Sequence, residues 1–310
     1  MTHSPLPTPH SPLLTYPPAQ WRLILSSPLD GPTNMAIDEA ILSAVSENQS
    51  PPTLRFFAWT PPCLSLGYAQ PVGDVDRERL RGLGWDLVRR PTGGRAILHT
   101  AELTYSVIAP MSEPRVVGGV IESYRQLSAG LMQGVELLGL NVRAEKNPKS
   151  SQTPEAERRG QIPNPNLQSP NHPITLSPNP VCFEAASDYE ITANGRKLLG
   201  SAQVRKQGVV LQHGTLPLTG DVARIVEVLR VDSEKERARL RERVHRRATT
   251  VEEVLGRAVT WAEAVAALQQ GFAEKLNLSF EERGLTEREV ELTAQLRAEK
   301  YAAERWNARV

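Results

Sequence analysis

Two side chains in one segment of the chain have the chemistry of a nucleophile and of a group that activates it. Cys182 and Lys197 lie in residues 181–218, the stretch richest in turn and strand signals. A cysteine is a strong nucleophile only as its thiolate, and a nearby ammonium group lowers the pKa of a thiol. Asn194-Gly195 predicts a hairpin turn that folds Lys197 back along the strand following Cys182. The spacing permits a covalent thioester enzyme, whereas a lone cysteine is more often a small buried side chain.

A second segment, residues 89–99, reads RRPTGGRAILH and has the features of a ligand-contacting turn. Arg89 and Arg90 end a predicted strand, and Gly93-Gly94 allows backbone N–H groups to approach a ligand closely. The alternative is a tight turn flanked by solvated arginines. The segment is not a nucleotide-binding loop of the Walker type, because no Gly-Lys-Ser/Thr follows the glycines.

Composition excludes several classes of protein. The chain has 310 residues and a formal net charge of +1, so neither nucleic acid nor an anionic membrane is an expected partner. Two cysteines, Cys63 and Cys182, make neither a disulfide framework nor a cysteine-only metal site, and the six histidines have no zinc-type spacing. We therefore expect no metal or cofactor and a cytoplasmic location. Cys63 is expected to be packed in the core.

The chain divides into segments by composition. Residues 1–20 are rich in Pro, Ser and Thr and are predicted to be a disordered leader. They are not predicted to be a signal peptide, because they lack its basic start and apolar block. Residues 147–180 are rich in Pro, Asn, Ser and Gln and are predicted to be a disordered insertion. A catalytic domain is expected over residues 21–247 and a helical C-terminal segment over residues 248–310.

Hydrophobic periodicity predicts an α+β fold, with mixed and antiparallel sheets packed against helices. One helix opens at Gly31-Pro32, with Asp38 and Glu39 assigned to its first turn. A second is predicted over residues 116–138, and residues 189–193 and 196–200 are predicted to pair as a hairpin. From residue 221 onward the prediction is helical, with capping boxes at Thr260 and Thr286. The other predicted strands are residues 21–26, 54–59, 64–67, 85–89, 95–99, 102–109 and 140–145.

Four ordered motifs resemble a known family. They are NMAIDEAIL at 34–42, PPCLSLGYAQ at 61–70, RRPTGGRAILHTAELTYSV at 89–107 and CFEAASDYEITANGRKLLGSAQVRKQGVVLQHG at 182–214, with a similar ending EKYAAERWN at 299–307. Together they resemble the biotin/lipoate protein ligase-like superfamily and, within it, the cysteine-dependent octanoyltransferases of the lipoate pathway. The resemblance covers nearly all of the chain outside the leader and the insertion.

The resemblance implies a mechanism and its residues. In such enzymes a cysteine accepts octanoyl from octanoyl-acyl carrier protein, and the acyl group then passes to a lysine of a lipoyl domain or of the glycine-cleavage H protein. Cys182 matches the nucleophile and Lys197 the residue that lowers its pKa. The acyl tunnel would be lined by the remaining matched residues, namely Arg90, Gly93, Gly94, Arg95, His99, Gly200, Ser201 and Gln203. No ATP is needed, because a thioester is already activated.

Three alternatives stay open at this point. An ATP-dependent lipoate–protein ligase typically has a third glycine where this chain has Arg95. An amidotransferase that takes octanoyl from the H protein would use the same cysteine and lysine. A non-catalytic relative is supported by Thr100, which stands where the family usually has an acid, and by the long insertion before Cys182. A basic cluster of Arg89, Arg90, Arg196, Lys197, Arg205 and Lys206 is a candidate docking surface for an acidic carrier protein.

Overall fold

The computed structural model describes residues 16–145, residue 181 and residues 190–309. Most of the predicted leader, the whole of the predicted insertion and Cys182 lie outside these residues. The strands are β1 (Ala19–Leu25), β2 (Thr53–Phe57), β3 (Cys63–Leu66), β4 (Asp86–Arg89), β5 (Ile97–His99), β6 (Glu102–Pro110), β7 (Val142–Glu145), β8 (Glu190–Ala193), β9 (Arg196–Lys206), β10 (Val209–Pro217) and β11 (Leu278–Glu282). The helices are α1 (Gly31–Ser46), α2 (Arg77–Gly82), α3 (Val120–Leu137), α4 (Glu234–Arg247), α5 (Val251–Leu255), α6 (Trp261–Leu276), α7 (Glu287–Leu296) and α8 (Glu304–Asn307), with 3₁₀ turns at Val72–Asp74 and Val222–Val228 and a π turn at Arg297–Tyr301. The predicted α+β class is confirmed.

Two sheets organise the described part of the chain. The larger has the strand order β11-β1-β2-β6-β10-β9-β8-β7, and the smaller has the order β4-β3-β5. In the larger sheet β1 runs parallel to both β2 and β11, whereas β6, β10, β9, β8 and β7 form an antiparallel meander in space. Within the described ranges, no helix is both long and apolar enough to cross a membrane.

One face of the larger sheet is covered by the long helices α3 and α6. Their axes approach closely because small residues meet at the contact: a Cβ built on Gly134 would lie 2.6 Å from the Cα of Leu268, and one on Gly271 would lie 2.3 Å from the backbone nitrogen of Gly134. The alternate residues of β6 that point to this face, among them Leu103 and Tyr105, are fully buried under the two helices. This layer is the main hydrophobic core.

The opposite face of the larger sheet is covered by α1 and by the smaller sheet. α1 begins after Asp30, whose carboxylate accepts a hydrogen bond from the Thr33 N–H at 2.7 Å, and Pro32 stands in its first turn. Ile37 and Ile41 pack against Ile108 of β6. The second covering element, the smaller sheet, carries the RRPTGG turn between β4 and β5, so the structure brings that turn over the middle of the larger sheet.

The structure differs from the sequence prediction at several places. Strand β11 interrupts the C-terminal region that was predicted to be helical. Helix α3 begins at Val120 rather than at residue 116, and Val120 itself is exposed. Asp38 lies beyond the first turn of α1, since the helix begins at Gly31. Ala19 and Gln20, placed in the disordered leader, belong to β1. The division of the chain at residue 247 stays a prediction, and the later segment adds α6 and β11 directly to the main core.

Candidate active site

A cavity of about 180 Å³ lies between the larger sheet and the RRPTGG turn. The sheet side is formed by residues of β6, β9 and β10, and the other side by the turn, by β5 and by α1. Its lining is Met35, Trp59, Arg90, Gly94, Arg95, Ile97, His99, Thr104, Lys197, Gly200, Ser201, Ala202, His213, Gly214 and Thr215. The mouth is on the side of Gly94, which is exposed, and Arg95, which is half-buried.

Lys197 reaches this cavity because of the predicted hairpin. Asn194 and Gly195 both have positive φ, 51° and 73°, as a tight two-residue hairpin turn requires. The hairpin prediction for β8 and β9 is confirmed, with Thr192 opposite Lys197. The lysine side chain is only 4% exposed, and its Nζ donates to Glu190 Oε1 at 2.8 Å. The ammonium group is thus a buried, paired charge at the wall of an otherwise largely apolar cavity.

The residue before Cys182 is attached to the same turn. Val181 is fully buried and forms a parallel bridge with Ala96, which follows the cavity-lining Gly94 and Arg95. Cys182 itself lies outside the described residues, so its role stays a prediction. The bridge nevertheless establishes that the chain passes the glycine turn immediately before the cysteine.

Arg90 holds the glycine turn from within. It is 3% exposed, and its guanidinium donates to the carbonyls of Gly93 at 3.1 Å and Arg95 at 2.9 Å, and to the hydroxyl of Ser65 at 2.7 Å. Because a trans peptide places C=O and N–H on opposite sides, the N–H of Gly94 points away from Arg90. These hydrogen bonds therefore fix the orientation of the turn.

A close backbone contact fixes the same turn from the other side. A Cβ built on Gly67 would lie 1.9 Å from the Gly94 carbonyl oxygen, so only glycine fits at residue 67. We expect Gly67→Ala to displace the turn and to lower kcat/KM for the predicted acyl transfer about tenfold or more, since small misplacements of a site are costly. Gly82→Ala is the matched control, because a Cβ there meets nothing within 4 Å. Equal activity of the two variants, with both folded by circular dichroism, would contradict this prediction.

His99 is held by an acid two residues further along than the family pattern suggested. Its Nδ1 lies 2.5 Å from Glu102 Oε1 and its Nε2 lies 2.6 Å from Ser65 Oγ. The Trp59 ring stacks on the imidazole at a centroid distance of 4.0 Å. Glu102 therefore supplies a carboxylate to the histidine without any contribution from Thr100, which borders a separate small cleft.

A second histidine anchors the turn to the sheet. His213 on β10 lies 2.6 Å from Thr92 Oγ1 through Nε2 and 3.3 Å from Asp38 Oδ2 through Nδ1. Burial lowers the pKa of His213, despite the opposing effect of Asp38, so the imidazole is neutral at pH 7. Burial alone would raise the pKa of Asp38, but hydrogen bonding to His213 and the charge of Arg55 at 2.8 Å lower it below its ordinary value. His213 is therefore a hydrogen-bonded pocket residue that holds the turn against the sheet.

The structure assembles six of the eight predicted tunnel residues around the cavity, namely Arg90, Gly94, Arg95, His99, Gly200 and Ser201. Gly93 is exposed and does not line it. Gln203 does not line it either, because alternate residues of β9 point to opposite faces of the sheet. The Gln203 amide lies toward α3 and donates to Gln212 Oε1 at 3.1 Å. The Ser201 hydroxyl points the same way and lies 2.7 Å from Tyr105 Oη, so Ser201 borders the cavity mainly through its backbone.

The predicted basic docking surface is wrong for three of its members. Arg89, Arg90 and Lys197 are buried. The Arg89 guanidinium donates to the carbonyls of Gly67, Tyr68, Gln70, Trp306, Asn307 and Arg309, and so attaches the C-terminal tail to the loop after β3. Burial, together with the like charges of Arg309 and Arg90, lowers the pKa of Arg89 to about 10, so it stays charged at pH 7. The double arginine is therefore a structural clamp and a turn anchor.

Several cavity residues were not predicted from the sequence. Met35, Ile97 and Thr104 lie within the quoted motifs without having been named as tunnel residues, and Trp59 lies outside those motifs. Cys63, in contrast, is fully buried as expected. Burial, and to a smaller extent the nearby carboxylates, raise the pKa of its thiol well above the ordinary range. In residues 16–145 and 190–309, no group of three or more His, Cys, Asp and Glu side chains is arranged to hold a metal ion.

Comparison with known proteins identifies the class. The lipoyl protein ligase A/B catalytic domain family matches residues 30–273, and the chain belongs to this family. It is 42% identical over 290 residues to the octanoyltransferase LipM of Symbiobacterium thermophilum, covering 93% of this chain and 98% of that protein. It is also 42% identical to LipM of Moorella thermoacetica, over 94% of this chain and 98% of that protein. The predicted family and the prediction of an acyltransferase are confirmed.

Solved structures agree on the fold. A bipartite lipoate protein ligase of an archaeal lipoylation system, from Thermoplasma acidophilum, aligns with a TM-score of 0.73 over 93% of this chain and 96% of its own, at 24% identity. A lipoate-protein ligase A bound with ATP aligns with a TM-score of 0.70 over 94% and 99% of the two chains, also at 24% identity. At this identity the likeness establishes the fold alone.

Proposed function

We propose that this acyltransferase moves an octanoyl group from octanoyl-acyl carrier protein to the ε-amine of a lysine on a lipoyl domain or the H protein, through a thioester on Cys182. The choice of octanoyl as the acyl group rests on the octanoyltransferase relatives, which are 37–42% identical over nearly the whole chain. A cytoplasmic location goes with this proposal and rests on the cysteine content.

In the first half-reaction the Cys182 thiolate attacks the carbonyl carbon of the donor thioester. A new carbon–sulfur bond forms, the negative charge collects on the carbonyl oxygen, and collapse of this intermediate expels the carrier thiolate. Lys197 stabilises the Cys182 thiolate by its charge. Backbone N–H donors of the glycine turn, Gly94 among them, stabilise the oxyanion.

In the second half-reaction the amine of the acceptor lysine attacks the acyl group on Cys182. The carbon–nitrogen bond forms, the carbon–sulfur bond breaks, and the amine releases a proton to solvent as the thiolate leaves. Replacing a thioester by an amide drives this step, so no nucleotide is consumed. The donor carrier protein leaves before the acceptor binds at the same cavity mouth, so the kinetics should be of the ping-pong type.

The observation that carries this proposal is that Lys197 lines the cavity and that the chain just before Cys182 lies beside the glycine turn. Lys197 is buried in the cavity wall, and Val181, directly before Cys182, is bridged to Ala96, two residues after the glycine turn. A structural cysteine would not need a buried cation at the wall of a cavity. A non-catalytic role is disfavoured by the octanoyltransferase relatives, and Thr100 no longer supports it because Glu102 contacts His99.

Two enzymatic alternatives differ in the donor. An ATP-dependent ligase would make an acyl-adenylate. Such ligases typically have a third glycine in the turn, where this chain has Arg95. An amidotransferase would take octanoyl from the H protein and otherwise use the same residues. The fold does not separate these alternatives, because the ATP-bound ligase shares it.

The test is intact-mass spectrometry of the protein after incubation with each possible donor. Octanoyl-acyl carrier protein without ATP should give an octanoyl adduct that hydroxylamine removes, and addition of a lipoyl domain should then give a hydroxylamine-resistant amide. An adduct only from octanoyl-H protein would indicate the amidotransferase. Octanoylation of the lipoyl domain only from octanoate and ATP would indicate the ligase.

A further inference from the structure

The cavity crosses the strands of the larger sheet along a row of small residues. Gly200 of β9 pairs with Thr215 of β10, and Thr215 pairs with Thr104 of β6. Residues paired across strands point to the same face, so all three lie on the floor of the cavity. Two strand spacings separate Gly200 from Thr104, a distance of about 10 Å. Glycine and threonine leave room above this row that larger residues would fill.

The two ends of the row are different. Lys197, Gly94 and Arg95 lie at the end near β9, where the cavity opens to solvent. Met35 and Trp59 lie at the other end, beyond Thr104, and are 1% and 6% exposed. They belong to a buried hydrophobic cluster that also contains Phe57 of β2. The cavity is therefore a blind channel that starts beside the lysine and ends at a methionine and a tryptophan.

The two residues of this end wall differ in how firmly they are held. The Trp59 Nε1 donates to Thr104 Oγ1 at 2.8 Å and its ring stacks on His99, so its position is fixed. Met35 projects from α1, has only apolar packing and has an unbranched, flexible side chain. Its volume is therefore the part of the wall that a substitution can change with least disturbance.

We propose that Met35 determines the length of acyl chain that the enzyme accepts, by contacting the terminal methyl group. The inference rests on the proposed octanoyl transfer. An extended eight-carbon chain is about 9 Å long from carbonyl carbon to methyl, given carbon–carbon bonds of about 1.5 Å. This length matches the row from Gly200 to Thr104, which places the methyl group against the Met35–Trp59 wall. A longer chain collides with the wall, and a shorter one leaves a gap.

The proposal predicts opposite effects of two substitutions. Met35→Ala removes the γ-carbon, the sulfur and the ε-methyl group and lengthens the channel, so the ratio of kcat/KM for decanoyl over octanoyl donors should rise about tenfold or more. Met35→Phe shortens the channel, so the ratio for hexanoyl over octanoyl should rise. Met132→Ala is the matched control, because Met132 packs against the core on the α3 side of the sheet; it should leave both ratios unchanged.

The measurement uses acyl carrier proteins loaded with six-, eight-, ten- and twelve-carbon chains, without ATP, and scores transfer to a lipoyl domain by mass. Unchanged length ratios in both folded Met35 variants would overturn the proposal, and the phenylalanine variant keeps the test valid if the alanine variant does not fold. Failure of the wild-type protein to transfer any chain would instead contradict the proposed function. The two failures are thus distinguishable.

Discussion

Replacing Cys182 by serine should lower the rate of octanoyl transfer at least about thousandfold, because a hydroxyl at neutral pH is a far weaker nucleophile than a thiolate. Both half-reactions should be affected, since the same sulfur accepts and releases the acyl group. The measurement is steady-state transfer from octanoyl-acyl carrier protein to a lipoyl domain, with intact mass recorded in parallel. The hydroxylamine-labile adduct should be present on the wild type and missing from the variant.

Cys63→Ala provides the matched control, because Cys63 is the other cysteine of the chain. Its side chain is fully buried and the pKa of its thiol is raised by burial and by neighbouring carboxylates, so it is protonated at pH 7. The alanine variant should keep the adduct and most of the activity. If Cys182→Ser kept a tenth of the wild-type rate, or if the adduct formed on Cys63, the assignment of the nucleophile would be wrong.

The hairpin beside this site was predictable because its signal is local. Asn194-Gly195 and Gln207-Gly208 each place two consecutive residues at positive φ, which few other residue pairs adopt easily. The capping boxes at Thr260 and Thr286 are also present, and both depend only on residues three positions apart. Features of this kind follow from sequence neighbours alone.

Strand β11 was not predictable in the same way. It is a five-residue edge strand, only Leu278 in it is buried, and it is held by parallel pairing with β1 from the far end of the chain. The different roles of Arg89 and Arg90 could not be predicted from the sequence either. The two adjacent arginines differ in what they bind, one the C-terminal tail and the other the glycine turn, and only tertiary structure separates them.

Part of the candidate site could have been predicted better. Alternation along a strand assigns Gly200 and Ala202 to one face of β9 and Ser201 and Gln203 to the other, so Gly200 and Gln203 should not both have been placed in the tunnel. The acid that contacts His99 was also within the quoted motif, as Glu102. Met35 lies within the motif NMAIDEAIL and Trp59 just before PPCLSLGYAQ, but neither was identified as a cavity residue, because a buried methionine or tryptophan is usually only core.

The buried position of Lys197 changes the expected consequence of removing it. From the sequence, a lysine at a strand end contributes little to stability, but here the side chain is 4% exposed and pairs with Glu190, which is 15% exposed. Replacing Lys197 therefore leaves a largely buried carboxylate without this partner, at a cost of about 1–3 kcal/mol in the free energy of unfolding. A loss of activity alone would not separate the chemical role from this structural one.

Lys197→Met should lower the rate of transfer about 100-fold. Roughly tenfold is expected from a rise of about one unit in the thiol pKa, which reduces the thiolate population at pH 7, and the rest from the lost charge in the transition state. The specific readout is the pH dependence of alkylation of Cys182 by iodoacetamide, measured in Cys63→Ala protein, whose midpoint should move to higher pH. Lys206→Met is the control. Lys206 is half exposed, lies outside this cavity and pairs with Glu39 at a distance of 2.7 Å.

A double variant separates stability from chemistry. Lys197→Met combined with Glu190→Gln removes both charges of the pair, so no carboxylate is left without its lysine partner and much of the lost stability should return. The rate and the alkylation midpoint should stay at the values of Lys197→Met, because the thiolate still has no cation beside it. Recovery of activity along with stability would mean that Lys197 holds the hairpin in place and does not activate the thiol. An alkylation midpoint that Lys197→Met leaves unmoved would lead to the same conclusion, and Cys182 would then need another source of activation.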